Sequence, residues 1–301
     1  MTTTSADPDL LLTSGGGAWR GGGPLLLTYS FAADGADAVG NQLASNAWAP
    51  FFEAQRESVR MALDAWAAIS GLSFLEVPDT PSGAGIDLRF RLEDLGGPAV
   101  FGRSWGPGDG DTDGDIALNL RLFRTDSLAP SATRIGFALL LHEIGHAIGL
   151  GHPAESSLDS RDLTVMSVTP ERLPLPVAPR TLDALAAQAL YGTEAEEQAL
   201  GLRWSWDATL GAVRGEGTAG DDRLVGPGWA TSSSTAPGMT CCWAWTAMTP
   251  SSAGWATTRW MGRRGGHAAP RLRSRRGDAG SRHRIPGHPG RDGPVQRNRG
   301  L

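Results

Sequence analysis

The chain of 301 residues contains no lysine; all 27 of its basic side chains are arginine. That absence points to GC-rich coding rather than to a chemical need. Cysteine is nearly absent too. Cys241 and Cys242 are adjacent and cannot form a disulfide framework, and residues 1–226 hold none. Long apolar runs are missing: a stretch such as Phe137 to Leu141 is far too short to span a bilayer, so no membrane insertion is expected. The first twelve residues carry Asp7 and Asp9 and no basic segment, so a cleaved secretory signal is not expected. Histidine is scarce and unevenly placed. Residues 1–226 have three, His142, His146 and His152, all within eleven positions.

What is present divides the chain in two. The net charge of -5 sums unlike parts: residues 1–226 carry 30 acidic groups against 15 arginines, whereas residues 227–301 carry 2 against 12. Hydrophobic residues make up 40% and mean hydropathy is -0.21, which suits a soluble protein with a sizeable core. Residues 1–23, polar with two glycine triplets, read as a flexible lead-in. Strands are expected at Leu25–Phe31, Leu72–Val77, Ile86–Leu92 (alternating in IDLRFRL) and Ile116–Leu120. Helices are expected at Phe51–Ile69, Ile135–Ile148 and Thr181–Leu190, the first and last stopped by Gly71 and Gly192. Strands mixed with separated helices predict an α+β domain over residues 24–200.

The three histidines lie in HEIGHAIGLGH, residues 142–152. His142 and His146 are one helical turn apart and share a face, so both imidazoles can reach one ion. Gly149 is expected to end the helix in a left-handed conformation, turning the chain back so that His152 supplies a third nitrogen. Three protein ligands leave a fourth zinc position for water, the pattern of a catalytic site. Glu143, beside His142, can take a proton from that water without ligating the metal. Packed or surface histidines are the bland reading, but five specified positions coincide here.

HExxHxxGxxH is the metzincin signature, and this chain resembles that family. Val165-Met166-Ser167 follows where the family places its Met-turn, which would make Met166 an apolar floor beneath the ligands. LTYSF at Leu27–Phe31, GDIALN at Gly114–Asn119, Pro153 after the third His and LDALAAQALYG at Leu182–Gly192 are similar to the serralysin-type branch of secreted bacterial proteases. The resemblance implies a metzincin-like fold, with a twisted mixed sheet, three main helices and a zinc cleft. It implies hydrolysis of peptide bonds, protein or peptide substrates, a monomer and an extracellular location. It also implies that the loop Val168 to Pro179 borders the pocket for the side chain after the scissile bond. One departure is plain: Val168 stands where serralysin-like enzymes usually place a zinc-assisting Tyr. The chain has only Tyr29 and Tyr191, and Tyr191 reads as the structural end of the third helix.

Residues 201–226 read as a linker and a single calcium-binding nonapeptide of the RTX type. GTAGDDRLV, Gly217 to Val225, matches GGxGxDxUx except at Thr218, with Gly220 and Asp222 at the calcium turn and Leu224 facing a β-roll core. Asp109-x-Asp111-x-Asp113-Gly114 begins like a calcium loop but ends at Leu120 without the closing Glu, and reads as a solvated acidic loop. The competing reading of the whole is a non-catalytic calcium-binding secreted protein that keeps a protease-like domain. It loses ground because Glu143, the three His and Met166 are all present. A nucleic-acid arm is not expected from the Arg-rich tail, given its Trp and Cys content and its lack of Lys.

Residues 227–301 are expected to be disordered, because they read as RTX repeats in a shifted frame. Stepping by nine from Asp222 meets Thr231, Thr240, Thr249 and Thr258. If the last base of each codon is joined to the first two of the next, Met239-Thr240 and Met248-Thr249 each yield Asp in phase with Asp222. Cys241-Cys242 then yields Leu at the apolar position, and Trp243-Ala244 and Trp255-Ala256 yield Gly. With G or C at the free third bases, Thr249 to Met261 becomes DAVLGGLGDDALD, which contains a complete repeat.

Overall fold

The computed structural model describes residues 9–12, 17–19, 22–35, 47–108 except 84, 113–153, 159–169 and 173–219, together with short strands between 224 and 260. The chain divides into units Met1–Gly262 and Arg263–Leu301, and the described residues all belong to the first.

The strands are β1 (Leu25–Phe31), β2 (Trp48–Ala49), β3 (Leu72–Glu76), β4 (Leu88–Glu93), β5 (Gly102–Ser104), β6 (Asp115–Asn119), β7 (Arg203–Asp207) and β8 (Ala212–Glu216), with β9 (Leu224–Val225), β10 (Ser233–Ser234), β11 (Thr240–Ala244) and β12 (Thr258–Trp260). The helices are α1 (Asp9–Leu12), α2 (Glu53–Ala67), α3 (Leu120–Phe123), α4 (Ile135–Ala147), α5 (Thr181–Tyr191) and α6 (Glu194–Leu200). A mixed sheet runs β3-β1-β4-β6-β5. Its first four strands are parallel, β5 is an antiparallel edge, and β2 pairs antiparallel with β4. β1 is buried at all seven positions, as expected of a central parallel strand covered on both faces. The expected mixed sheet and three main helices are all present, each within a few residues of its predicted span.

α4 carries apolar residues all round, the pattern of a helix enclosed by its own protein. It lies against α2, where the Trp66 indole donates to Leu141 O at 3.2 Å. Trp66, Leu140, Leu141 and Ile144 are each sealed from solvent within one continuous core.

Three features add to the expectations from sequence. IDLRFRL alternates in sequence, yet β4 is buried throughout. Its arginines are tolerated inside because carboxylates meet them: Arg89 pairs with Asp34 at 2.7 Å and Asp79 at 2.9 Å, and Arg91 with Asp115 at 2.6 Å. Next, the lead-in 1–23 is not wholly free. Leu11 is sealed in the core, Leu11 O accepts from Gly151 N at 2.7 Å, and the Trp19 indole donates to Ala147 O at 2.7 Å. Apolar residues at both ends of the glycine stretch give this segment something to bury. Finally, the span 201–226 is more than a linker. β7 and β8 form a hairpin, and β11, inside the tail expected to be disordered, pairs antiparallel with β8 from Thr240↔Glu216 to Ala244↔Ala212. Gly220, Asp222, Asp109 and Asp111 lie outside the described residues, as does most of the tail.

Candidate metal centre and catalytic cleft

The site is built on the last two turns of α4 and on the way that helix stops. Gly149 N donates to His146 O and Leu150 N to Gly145 O, both at 2.9 Å. This pair of bonds is the Schellman ending, and Gly149 occupies its left-handed position with φ of 99°. The glycine is required twice over: a Cβ there would also stand 2.8 Å from Gly17 O. The next helix-end carbonyls find partners elsewhere, Ala147 O in Trp19 and Ile148 O in the Tyr191 hydroxyl at 2.6 Å. The left-handed ending anticipated at Gly149 thus sends the chain back toward the helix.

The reversal brings His152 to its two predecessors. Nε2 of His152 lies 3.0 Å from Nε2 of His146 and 3.3 Å from Nε2 of His142. The outer nitrogens of the other two are held by backbone carbonyls: Nδ1 of His142 faces Val165 O at 2.9 Å, and Nδ1 of His146 faces Leu150 O at 2.8 Å. A carbonyl only accepts, so both Nδ1 atoms carry the proton and both Nε2 lone pairs point inward. Burial also keeps the rings neutral. It lowers His142 to about 3 and His146 to about 4, reinforced at His142 by the neighbouring His146. Neutral imidazoles with converging lone pairs repel one another unless a cation lies among them. Nitrogens around a tetrahedral zinc at about 2.0–2.1 Å would stand about 3.3–3.4 Å apart, close to the spacing found here. The donor set therefore fits zinc.

Glu143 meets the sheet edge at β5 through its carboxylate. Its carboxylate is 5% exposed, and burial raises its pKa to about 7, a value at which it can both take and return a proton. The Ser104 hydroxyl of β5 donates to Glu143 Oε2 at 2.6 Å. Gly102, two residues earlier, lacks the Cβ that would stand 2.5 Å from Glu143 Oε1. Neither β5 nor this pair was legible in the sequence, since three residues flanked by glycine and proline carry no periodic signal.

Met166 packs against the ligand helix at Gly145. It is fully buried, and Gly145 is bare where a Cβ would run into Met166 Sδ. The turn holding Met166 is anchored by Asp183 of α5, which sequence reasoning missed. Its carboxylate accepts from the Thr164 hydroxyl at 2.5 Å, Val165 N at 2.9 Å and Arg180 N at 2.6 Å. A continuous path thus runs from Asp183 through Val165 to the ring of His142. Neither tyrosine substitutes at Val168. Tyr191 is engaged with Ile148 and Trp19, Tyr29 donates to Glu76, and Val168 itself is an exposed apolar side chain.

Comparison with known proteins agrees with this geometry. Residues 51–192 match the matrixin family of M10 peptidases. Serralysin A of Dickeya chrysanthemi is 29% identical over 40% of this chain and 28% of its own length. Metallopeptidase AprA of Pseudomonas marginalis is 25% identical over 71% of this chain and 50% of its own, and the hatching enzyme of Paracentrotus lividus 32% identical over 42% and 19%. The chain spans half or less of the length of these relatives. Residues 51–192 thus form a matrixin-type M10 peptidase domain, and the chain resembles the serralysin branch of the metzincin metalloproteases. Among the described residues, no helix is long and apolar enough to cross a membrane.

Proposed function

We propose that the protein is a zinc-dependent endopeptidase in which His142, His146 and His152 hold the metal and Glu143 moves the proton. The observation that carries this reading is the convergence of three imidazoles, two of them oriented by backbone carbonyls, next in sequence to a buried carboxyl poised near neutrality. Bound zinc would supply Lewis-acid polarisation of the scissile carbonyl and a lowered pKa for an attacking water. Glu143 would accept that water's proton and pass it to the departing amine, with Ser104 holding the carboxylate at the sheet edge. The enclosed apolar setting around α4 would keep competing solvent from the base. Substrates would be proteins or peptides, met outside the cell as the likeness to serralysins suggests.

The test is metal analysis and cleavage of a protein substrate by the full chain, with and without chelator. His146→Ala should lose zinc retention. Glu143→Ala should keep zinc and lose turnover, and robust proteolysis by that variant would overturn the assignment of the base.

A further inference from the structure

A cavity of about 560 Å³ opens directly beside His142. Ile135, Ala138 and Leu139 of the ligand helix line it together with His142, and Phe101, Val168 and Thr169 complete the lining. Such walls would ordinarily take an apolar side chain. One group in the lining does not fit that occupant. Arg161 reaches the cavity from the turn ahead of Met166, and its guanidinium is poorly satisfied. Nη2 donates to Thr169 O at 3.1 Å, while Nε is buried and has no hydrogen-bond partner. Among the described residues no carboxylate lies within ion-pair distance of it. Asp159 and Asp162 line only an adjoining cavity, which Arg161 also borders, and Asp159 accepts from Val168 N instead. Arg161 and His142 line the same cavity, which places the guanidinium beside the metal centre.

A buried guanidinium N–H without an acceptor is costly, and an acceptor brought by a ligand would remove that cost. Nε and Nη2 form one edge of the guanidinium fork, and Nη2 retains a second proton beyond its bond to Thr169. That edge is the shape that binds a carboxylate through two parallel hydrogen bonds. We propose that Arg161 is a specificity-determining residue that selects an acidic side chain, Glu or Asp, in the substrate residue following the scissile bond. The methylenes of that side chain would lie between Phe101 and Leu139, and its carboxylate would complete the Arg161 fork. This deepens the peptidase reading and rests on it.

The experiment uses the full zinc-loaded chain and two readouts. Matched fluorogenic peptides that differ only after the scissile bond, as Glu, Gln or Leu, give relative kcat/KM. Peptide hydroxamates whose first side chain is Glu, Gln or Leu give affinities by calorimetry, independently of turnover. Glu is expected to exceed Gln by about ten-fold in both, the scale that separates a charge-assisted pair from a neutral one. Arg161→Gln should abolish that gap. Arg161→Lys, which keeps the charge but not the fork, should retain part of it. Equal handling of Glu and Gln by the parent chain, or preference for Leu in both readouts, would overturn the proposal even if every variant failed to fold. Failure of all peptides with a surviving Glu preference among hydroxamates would instead refute the peptidase reading and uphold the pocket.

Discussion

Replacing Gly145 by alanine sets two calculable effects against each other. In a helix interior the change alone should stabilise, since glycine is worse than alanine by about 0.8–1.0 kcal/mol. In this structure the new methyl would overlap Met166 Sδ and stand 3.2 Å from Trp66 Cζ2 and 3.3 Å from Met166 Cε. Met166 and Trp66 are both sealed at 0% exposure, so neither can swing into solvent to make room. Overpacking of that kind costs about 1–3 kcal/mol, and the net effect should be a loss of up to about 2 kcal/mol. Met166→Ala alone should cost about 2–5 kcal/mol through the cavity it leaves. In that background the methyl at 145 enters empty space, and Gly145→Ala should become stabilising by about 1 kcal/mol. The signature is a reversal of sign, read by urea unfolding of the parent, both single variants and the double variant in chelator. Chelator keeps zinc binding out of the equilibrium. Additive single effects, or a stabilising Gly145→Ala in the parent, would refute the claim that Met166 fills the floor beneath the ligand helix.

Two further outcomes can be checked on the same preparations. Asp183→Ala strands the Thr164 hydroxyl and two backbone N–H groups and should cost about 2–4 kcal/mol. Because Val165 O orients His142, this change should also weaken zinc affinity about 10–100-fold in a chelator competition; unaltered affinity would break the path from Asp183 to the ligand. In metal-free protein, Glu143 binds its proton more tightly folded than unfolded, so its contribution is present below about pH 4.5 and is lost as pH rises toward about 7. Glu143→Gln should therefore gain on the parent as pH rises through that window. His142 and His146 act oppositely: lowered to about 3 and about 4, they favour folding above the ordinary histidine pKa and withdraw that support as pH falls. A stability difference between parent and Glu143→Gln that stays flat from pH 4.5 to 7 would show that burial does not hold that proton.

The parts of the molecule legible in the sequence are those whose physics is local. The spacing of His142 and His146, the glycine that must reverse the chain at 149 and the apolar periodicity of α2 and α4 each follow from residues a few positions apart. The supports of the site are not local. Ser104 meets Glu143 across 39 positions, Asp183 meets the Met166 turn across 18 or 19, and Trp19 meets the end of α4 across 128. No helical or strand period marks such partners, and β5 is too short to carry one. The burial of β4 is non-local for a related reason. Its arginines alternate as a solvent face would, and only the arrival of Asp34, Asp79 and Asp115 from other segments makes burial tolerable. The tail poses a different problem, since the nine-residue phase from Asp222 is legible only when its codons are displaced by one base. If the written frame is wrong, β11 pairs with β8 through residues that the gene does not encode. In the shifted frame, Cys241-Cys242 would instead place leucine at a β-roll core position. Resequencing the gene from codon 215 onward decides the matter: a confirmed frame whose displaced reading lacks the Gly and Asp series would dismiss the idea. A one-base correction would add the repeats that Gly217 to Val225 begins.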